Sequence, residues 1–407
     1  MRLGGVVTFP WVRTCPFAPP PEYRDLPPVS RVELASGQRV WLVAGHEEVR
    51  RVLADPRAAS SRTAPGFPIV FPAAQRALGA ARAKPSYGGM DRPEHTLHRR
   101  LVTGEFTLRR MEALRPRVQE IVDEHVTALL GGPRPADLVE ALALPVPSLV
   151  ICELLGVPYA DRDDFQRRTV RILTRGGDPR DTTEAFTGLM AYLGDLVAAK
   201  AAHPDDGDLL GRLIARYGDA YDHAQLVSLA SGLLIAGHET SANMIALSVA
   251  ALLEHPDQLA GLVRDPASAR NAVEELLRFF SVADLVTARA ATGDIEVGGV
   301  TIRAGEGLVA LGAAADHDPA VFPRPDELDV RRDARHHVAF GYGVHQCLGQ
   351  NLARLELEIV IGTLFRRVPG LALAVPAAEL PFKTDGILNG LHELPVTWRG
   401  RRAPLDR

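Results

Sequence analysis

One cysteine in a glycine-rich loop constrains this chain more than any other feature. Cys347 lies within residues 340–349, of sequence FGYGVHQCLG, and a helical pattern follows at residues 350–366. Backbone N–H groups at a helix start lack intrahelical partners, and the helix dipole adds partial positive charge there. Both effects favour thiolate over thiol, so the position predicts a low-pKa sulfur that acts as nucleophile or metal ligand. Gly343 and Gly349 let the backbone turn tightly and let a flat partner approach.

Two further residues complete the motif around this cysteine. Phe340 supplies a ring that can shield the sulfur from water, and His345 lies two residues before the cysteine. The pattern Phe-x-x-Gly-x-x-x-Cys-x-Gly resembles the haem-ligand loop of the cytochromes P-450, and a buried free cysteine is the alternative interpretation. The resemblance implies that Cys347 ligates the iron of haem b. It also implies that other loop residues contact the cofactor, namely Phe340, Gly341, His345 and Gly349.

The composition is that of an ordinary soluble globular protein. Of 407 residues, 46% are apolar and 24% charged, and the net charge of −4 gives no reason to expect nucleic acid or an anionic membrane as partner. Three cysteines are too few for a disulfide framework and suit a reducing compartment. The sequence shows no signal peptide and no apolar run of about 20 residues. We therefore expect a cytoplasmic protein without a membrane anchor, which resembles the soluble bacterial members of the family.

The order of the patterns predicts one mainly α-helical domain with small β-sheets that spans residues 1–407. Proline-rich residues 1–30 indicate an extended lead-in, and β-rich runs at 32–34 and 40–43 around a Ser-Gly turn predict a hairpin. The predicted helices include 46–54, 110–130, 149–155, 161–173, 181–202, 224–254 and 271–280. The resemblance implies the cytochrome P-450 fold, a triangular prism of helices in which the haem lies between a long central helix and the cysteine-loop helix.

His95 and Arg99 lie near the start of a further helix that opens at residue 91. Their i, i+4 spacing places them on one face, where they can clamp a carboxylate, although a solvated basic face has the same pattern. The resemblance implies that both reach haem propionates, and that Arg289 and His345 join them. Two buried propionates need such cations because an unpaired buried charge is very costly.

The long helical pattern at residues 224–254 has an unusual centre. It is apolar nearly all round, with Asp222 as a plausible N-cap, and so predicts a helix through the middle of the protein. Residues 236–241 read AGHETS, and a glycine, an acid and a threonine inside a buried helix cost stability. Such faults are typical of functional sites, although a kink with a back-bonding hydroxyl also explains them. The resemblance implies two pairs on the oxygen-binding side of the haem: Ala236 and Gly237 beside the cofactor, and Glu239 and Thr240 as a proton relay.

Glu275 and Arg278 are spaced i, i+3 on a helical pattern, so they pair on one face. An exposed pair would mean little, but the resemblance implies a buried structural pair that holds the cysteine loop in place. The family completes this pair with an Arg in a Pro-x-Arg-Phe stretch, where this chain reads PDEL at residues 325–328. Arg331, Arg335 or a nearby His is then the expected third partner.

The residues expected around the substrate are mostly apolar, which predicts a hydrophobic small molecule such as a polyketide, a terpenoid, a cyclic peptide or a drug-like compound. The candidates are Met90, Leu233, Ala236, Val282, Val286 and Leu388. Asp284 either meets a cationic or hydroxylated substrate or faces solvent. The resemblance implies that irregular residues 58–90 help to roof the pocket, and that a β-hairpin predicted over residues 382–398 puts its tip into it.

These motifs together predict a haem-thiolate monooxygenase. Such an enzyme inserts one oxygen atom from O₂ by hydroxylation or epoxidation, here as a tailoring step in secondary metabolism or in xenobiotic oxidation. A haem-thiolate oxidase that couples two atoms or desaturates its substrate uses the same residues, and the mass of the product separates the two. A haem-thiolate sensor or binding protein has no need of a proton relay, so Glu239 and Thr240 argue against it.

The electrons must come from outside the chain, because no flavin or nicotinamide glycine fingerprint follows a predicted strand. The resemblance implies a ferredoxin, with a ferredoxin reductase that uses NAD(P)H. We expect ferredoxin to dock on the cysteine side of a monomeric protein with the help of an arginine. The candidates are Arg109, Arg110 and Arg354.

Overall fold

The described residues form a mainly helical structure with three small β-sheets, which confirms the predicted fold class. The computed structural model describes residues 8–71, 87–173, 178–218, 220–384 and 387–399. Within them, helices α1 to α13 are His46–Ala54, Glu94–Thr103, Leu108–Ala113, Arg115–Gly131, Pro145–Leu155, Arg162–Leu173, Pro179–Ala202, Leu209–Tyr217, His223–Glu254, Pro256–Arg264, Ala269–Phe280, Gly312–Asp316 and Gln350–Arg367. Strands β1 to β11 are Thr8–Phe9, Val29–Leu34, Arg39–Val43, Ala58–Ala59, Ala136–Asp137, Ala288–Ala291, Ile295–Val297, Val300–Ile302, Gly307–Ala310, Ala372–Leu373 and Pro395–Thr397.

Helix α9 begins and ends where its sequence signals predict. The Gln225 N–H donates to the Asp222 side chain at 2.8 Å, and the Asp222 N–H donates to the Gln225 side chain at 2.9 Å, which together make a capping box. The helix ends at Glu254, just before Pro256. Every residue from 236 to 241 is helical.

Helices α5, α7 and α13 pack against α9 and build the main core. This core takes apolar side chains from α2 through to β11, and two smaller clusters of buried apolar side chains lie around the six-stranded sheet. One domain over residues 1–407 stays a prediction that this packing supports. None of the described helices has the length and the apolar content that a membrane span requires.

Several helices differ from the sequence patterns, and the helix predicted over residues 110–130 is divided into α3 and α4. Helix α5 begins at Pro145 rather than at Leu149, because a proline at the first helical position lacks only an N–H that would have no partner there. The patterns do not predict α8, α10 and α12. Helix α8 begins at a cap, since the Asp208 side chain accepts a hydrogen bond from the Gly211 N–H at 2.9 Å.

Strands β2 and β3 form the predicted hairpin, and a six-stranded sheet grows from it in the order β1-β2-β3-β9-β6-β4. Val32 pairs with Val40 across the turn. Strand β1 adds in parallel to β2, so the predicted extended lead-in contributes a strand. Strand β6 pairs antiparallel with β9. Arg289 of β6 lies opposite Leu308 of β9, so this pairing fixes the backbone position of Arg289.

The hairpin predicted over residues 382–398 is only partly formed. Phe382 and Leu391 make one isolated antiparallel bridge. Strand β11 pairs instead with β10 and β5. Backbone hydrogen bonds still cross the hairpin from the Lys383 N–H to the Gly390 carbonyl at 2.8 Å and from the His392 N–H to the Pro381 carbonyl at 2.7 Å. The Asn389 N–H instead donates outward to the Val282 carbonyl at 3.0 Å.

Candidate active site

The cysteine loop is closed by its own backbone and packed against α1. The Cys347 N–H donates to the carbonyl of Phe340 at 2.8 Å. Gly343 has a φ of +72°, and a Cβ there would collide with the carbonyl of Leu53 at the end of α1. This glycine is therefore needed for the contact with α1 rather than for the approach of a flat partner. A Cβ on Gly349 would meet no atom within 4 Å, so that glycine does leave a space open.

The Cys347 side chain is exposed, yet its sulfur lies among enough protein atoms for burial to raise the pKa of the thiol. Hydrogen bonds from the N–H groups of Gly349 and Gln350 and the charges of Arg99 and Arg354 oppose that rise. The low pKa predicted for this sulfur is thus not found, because burial outweighs the helix start. The same N–H groups favour a thiolate once a metal cation is bound to it.

Phe340 is held in place by two side chains that share one acid. The Arg354 guanidinium lies 4.6 Å from the ring centre, and the His337 ring centre lies 5.7 Å away. Arg354 donates to Glu274 at 2.6 Å, and His337 contacts the same carboxylate at 3.1 Å. Burial alone would raise the pKa of Glu274, but these two hydrogen bonds lower it to about 2. The sequence patterns do not predict Glu274 or His337 in this role.

Glu275 and Arg278 form the predicted ion pair, and both side chains are fully buried. Arg278 donates through Nε at 2.7 Å and through Nη2 at 2.8 Å, one bond to each carboxylate oxygen. The third partner is Arg332, whose Nε donates to Glu275 Oε1 at 3.1 Å, so the prediction of Arg331, Arg335 or a nearby His is wrong. Those two arginines are exposed, whereas Arg332 points inward and also donates to three backbone carbonyls of the preceding loop.

Hydrogen bonds connect this pair to the cysteine loop. Arg278 Nη1 donates to the backbone carbonyl of Asp316 at 2.8 Å. The Asp316 carboxylate accepts the N–H of Val338 at 2.7 Å, and the carbonyl of Val338 accepts the N–H of Gly341 at 2.7 Å. Removal of the ion pair is therefore expected to release the backbone that enters the loop at Phe340.

The side chains predicted to bind the two propionates lie together. We call His95, Arg99, Arg289 and His345 the cationic cluster. The His95 and His345 ring centres are 4.0 Å apart, and Arg99 donates to the carbonyl of Gln346 at 2.6 Å. Burial lowers the pKa of His345 to about 3, helped by the charge of Arg289, so this imidazole is neutral at pH 7 and the positive charge of the cluster comes from its arginines. Burial also lowers the pKa of Arg289, to about 10.

The cationic cluster lacks acceptors among the described side chains. Both ring nitrogens of His95 and Nδ1 of His345 are buried without a hydrogen-bond partner among the residues described. The charge of Asp91 acts on Arg289, but its oxygens already accept the backbone N–H groups of Ser60 and Ser61. Because buried polar groups are nearly always paired, the cluster fits a ligand that brings its own carboxylates.

An accessible stripe interrupts the buried surface of α9. Ala236 is exposed and Thr240 half-buried, and their i, i+4 spacing places both on one face. Thr240 Oγ1 donates to the carbonyl of Ala236 at 2.7 Å, which is the back-bonding hydroxyl considered above. A Cβ on Gly237 would collide with Ile151 of α5, so this glycine serves helix packing.

Glu239 lies on the buried face of α9, where two side chains donate hydrogen bonds to its carboxylate. Its Oε2 accepts hydrogen bonds from Lys383 Nζ at 3.2 Å and from Asn243 Nδ2 at 3.4 Å. In the part of the chain that the structure describes, no hydrogen bond joins Glu239 to Thr240, so a relay between them needs a bridging water. The patterns do not predict Lys383, although its rarity as one of three lysines is a usable signal.

Asp284 takes neither of its two predicted roles. It is 7% exposed, and its oxygens accept the Tyr23 hydroxyl at 2.7 Å and the Ala313 N–H at 2.7 Å. Burial raises its pKa, and the charge of Arg13 opposes that rise. The carboxylate therefore anchors the loop that follows α11 instead of meeting substrate or solvent.

The apolar pocket candidates differ in exposure. Leu233, Val282 and Leu388 are buried, Met90 is half-buried, and Val286 is 51% exposed. Their role in substrate binding stays a prediction. Of the predicted roof, residues 72–86 lie outside the described residues.

Glu356 is a buried acid that sequence patterns missed. It lies on α13, and its carboxylate has no hydrogen bond of normal geometry among the described residues. Burial raises its pKa to about 8, although the neighbouring Ser241 hydroxyl acts in the opposite direction. The signal in the sequence is one acid on an otherwise apolar face of the helix that follows the cysteine.

Known proteins are similar to this chain over nearly its whole length. The family model described as cytochrome P-450 matches residues 269–368. Pentalenic acid synthase from Streptomyces avermitilis is 50% identical over 398 residues, which are 96% of this chain and 97% of the relative. The crystal structure of cytochrome P-450 MoxA from Nonomuraea recticatena is 52% identical, with 98% of this chain and 100% of that chain covered and a TM-score of 0.90. The mycinamicin VIII C21 methyl hydroxylase MycCI from Micromonospora griseorubida, solved with mycinamicin VIII bound, is 43% identical, with 96% of this chain and 100% of that chain covered and a TM-score of 0.89.

Proposed function

This chain belongs to the cytochrome P-450 family and is a monooxygenase, and from that premise we propose that it transfers one oxygen atom from O₂ to a carbon atom of a hydrophobic natural product. The observation that carries this proposal is an exposed cysteine beside a buried cationic cluster in which imidazole nitrogens lack hydrogen-bond partners among the described residues. Two relatives support the substrate class. One is named a pentalenic acid synthase, and the other is a methyl hydroxylase solved with mycinamicin VIII.

The residues fit a haem b with a thiolate ligand. Cys347 would ligate the iron, with the N–H groups of Gly349 and Gln350 directed at its sulfur. The cationic cluster would hold the two propionates and so satisfy the unpaired nitrogens of His95 and His345. When bound, such a haem activates dioxygen for attack on an unreactive C–H bond.

The part that the chain itself plays is to exclude water and to deliver protons. Insertion of one oxygen atom into a C–H bond consumes two electrons and two protons, and the second oxygen atom leaves as water. Thr240 lies on the accessible stripe of α9, where its hydroxyl orients a water and passes protons on through Oγ1. Glu239, one residue earlier, supplies those protons from the buried side through that water.

The mass of the product tests this function. A panel of polyketides and terpenoids is first screened for compounds that shift the haem absorbance of the purified protein. A compound that binds is then turned over with ferredoxin, its reductase, NADH and isotopically labelled dioxygen. We expect a product heavier by one labelled oxygen atom. A product that has lost two hydrogens and carries no label would show a coupling or desaturating oxidase instead.

We propose that a ferredoxin supplies the electrons on the cysteine side, after reduction by an NAD(P)H-dependent reductase, and that the protein works as a cytoplasmic monomer. Among the arginine candidates, Arg354 is engaged with Glu274, and Arg110 donates to Glu105 at 2.9 Å. Arg109 on α3 is exposed. Arg109 is therefore the candidate whose charge is available to a partner.

Arg109→Glu is expected to weaken ferredoxin docking without changing the chemistry. Like charges then meet at the interface, so KM for ferredoxin rises roughly tenfold at low salt, while kcat at saturating ferredoxin is unchanged. The measurement is turnover against ferredoxin concentration at two ionic strengths, since screening reduces the effect at high salt. Arg180→Glu makes the same change of charge at an exposed position on α7 and is the matched control. An equal rise in both variants would remove Arg109 from the docking surface.

A further inference from the structure

We infer that Lys383 is a positioning residue for Glu239, an inference that rests on the proposed function. Lys383 Nζ lies 3.2 Å from Glu239 Oε2, and the two side chains are 20% and 5% exposed. A carboxylate buried this deeply is costly unless it is paired. The ammonium of Lys383 therefore supplies that partner and fixes the direction of the Glu239 carboxylate.

The type of cation matters at this position. The chain has 46 basic residues besides histidine, and lysine occurs only at positions 84, 200 and 383. An arginine would grip a carboxylate with two parallel hydrogen bonds, whereas an ammonium acts as a single point charge. Among the described residues, hydrogen bonds to the Glu239 carboxylate end on Oε2. Oε1 is thereby left to exchange a proton with water.

A second contact joins Glu239 to the same piece of chain. We call residues 382–384 and 387–391 the C-terminal segment. The Lys383 N–H donates to the carbonyl of Gly390 at 2.8 Å, which holds the lysine backbone in place. Gly390 has no room for a Cβ because the Asn243 side chain packs against it, and Asn243 donates to the carbonyl of Glu239 at 2.8 Å. The C-terminal segment thus reaches the acid both through charge and through packing.

The C-terminal segment also forms part of the expected pocket wall. It carries Leu388, and the Asn389 N–H donates to the carbonyl of Val282 at 3.0 Å. Leu388 and Val282 are two of the pocket candidates. A substrate that presses on this wall therefore acts on the segment that sets the position of the acid.

A purely structural ion pair is the rival explanation, and the chain offers a matched example of one. Lys200 pairs with Asp208 at side-chain exposures of 15% and 12%, close to those of Lys383 and Glu239. That pair joins α7 to the cap of α8 and has no residue of the proposed relay in it. Lys200→Met should lower stability like Lys383→Met but leave the use of electrons unchanged.

The test is a double-mutant cycle on the haem-loaded protein, which compares Lys383→Met, Glu239→Gln and their combination. Product per electron and hydrogen peroxide released are measured together with the unfolding midpoint and the Kd of the substrate. We expect Lys383→Met to lower product per electron roughly tenfold, a part of the hundredfold or more that a positioned acid contributes. In the Glu239→Gln background the same change should lower it no further. Lys383→Arg, which keeps the charge but can bind both carboxylate oxygens, should recover only part of the product.

Thr240→Ala separates failure of this inference from failure of the proposed function. It removes the relay hydroxyl and should divert electrons to hydrogen peroxide whether or not Lys383 matters. If Thr240→Ala releases peroxide and Lys383→Met does not, the positioning role is overturned while the function stands. A tenfold loss from Lys383→Met that persists in the Glu239→Gln background also overturns it, because the lysine then acts elsewhere. If Thr240→Ala and Glu239→Gln both use electrons like the wild type, the relay itself is wrong, and the inference falls with it.

Discussion

Cys347→Ala is expected to reduce product formation to the background of the reaction without enzyme. The change removes the sulfur at the start of α13, where two backbone N–H groups point at it. Alanine offers no atom that can donate electrons to a metal, and thiolate donation is what favours cleavage of the O–O bond. The cationic cluster is untouched, so the variant is expected to retain part of its haem.

The measurement is the absorbance of the reduced carbon-monoxide complex, taken beside turnover. Cys347→Ala should lose the absorbance that a thiolate-ligated haem shows in its reduced carbon-monoxide complex. The matched change Cys15→Ala should keep both this absorbance and the activity. Cys15 lies in the N-terminal lead-in, where its sulfur accepts the N–H of Phe17 at 3.4 Å. A sulfur spectrum in Cys347→Ala, or its loss in Cys15→Ala, would refute the ligand assignment.

Glu275→Gln is expected to lower the free energy of unfolding by about 3–5 kcal/mol, because it leaves a buried charge without its partner. Arg278 is 0% exposed, and both of its bonds to Glu275 would lose their counter-charge, as would the bond from Arg332. The hydrogen bonds that run through Asp316 to the backbone of Val338 should loosen with it. The haem should then be released at a lower urea concentration than in the wild type.

Urea unfolding followed by helix circular dichroism and by haem absorbance measures both effects. Asp333→Asn, which breaks an exposed pair with Arg335, is the control and should leave the midpoint unchanged. The urea midpoint of Arg332→Met should lie between those of Glu275→Gln and Asp333→Asn, since Glu275 keeps its ion pair with Arg278. A midpoint in Glu275→Gln no lower than that of the control would mean that the pair does not hold the loop.

The elements predicted well are those whose signals are local. The capping box at Asp222 and Gln225 fixes the start of α9, and the alternation around the Ser-Gly turn fixes the β2–β3 hairpin. In the cysteine loop, local reasoning correctly places the helix start but gives the wrong direction for the pKa of Cys347. That pKa depends on burial by distant parts of the chain, which no local pattern encodes.

The contacts that the sequence did not reveal join residues far apart along the chain. Asp284 meets Tyr23 across 261 positions, and Lys383 meets Glu239 across 144. Arg332 rather than Arg331 completes the ion pair, because side-chain direction in an irregular loop follows no period. The cationic cluster is assembled from α2, β6 and the cysteine loop, and only the resemblance to a family pointed to it.

The unbroken course of α9 bears on how such proteins diversify. At 1.5 Å per residue its 32 residues form a rod of about 48 Å that carries Ala236, Glu239 and Thr240 on one rigid body. Two of the pocket candidates, Val286 and Leu388, lie instead in connecting segments, which tolerate substitution better than the elements they join. Substitutions in these segments can therefore change which natural product is bound, while the residues on α9 that serve the oxidation stay the same.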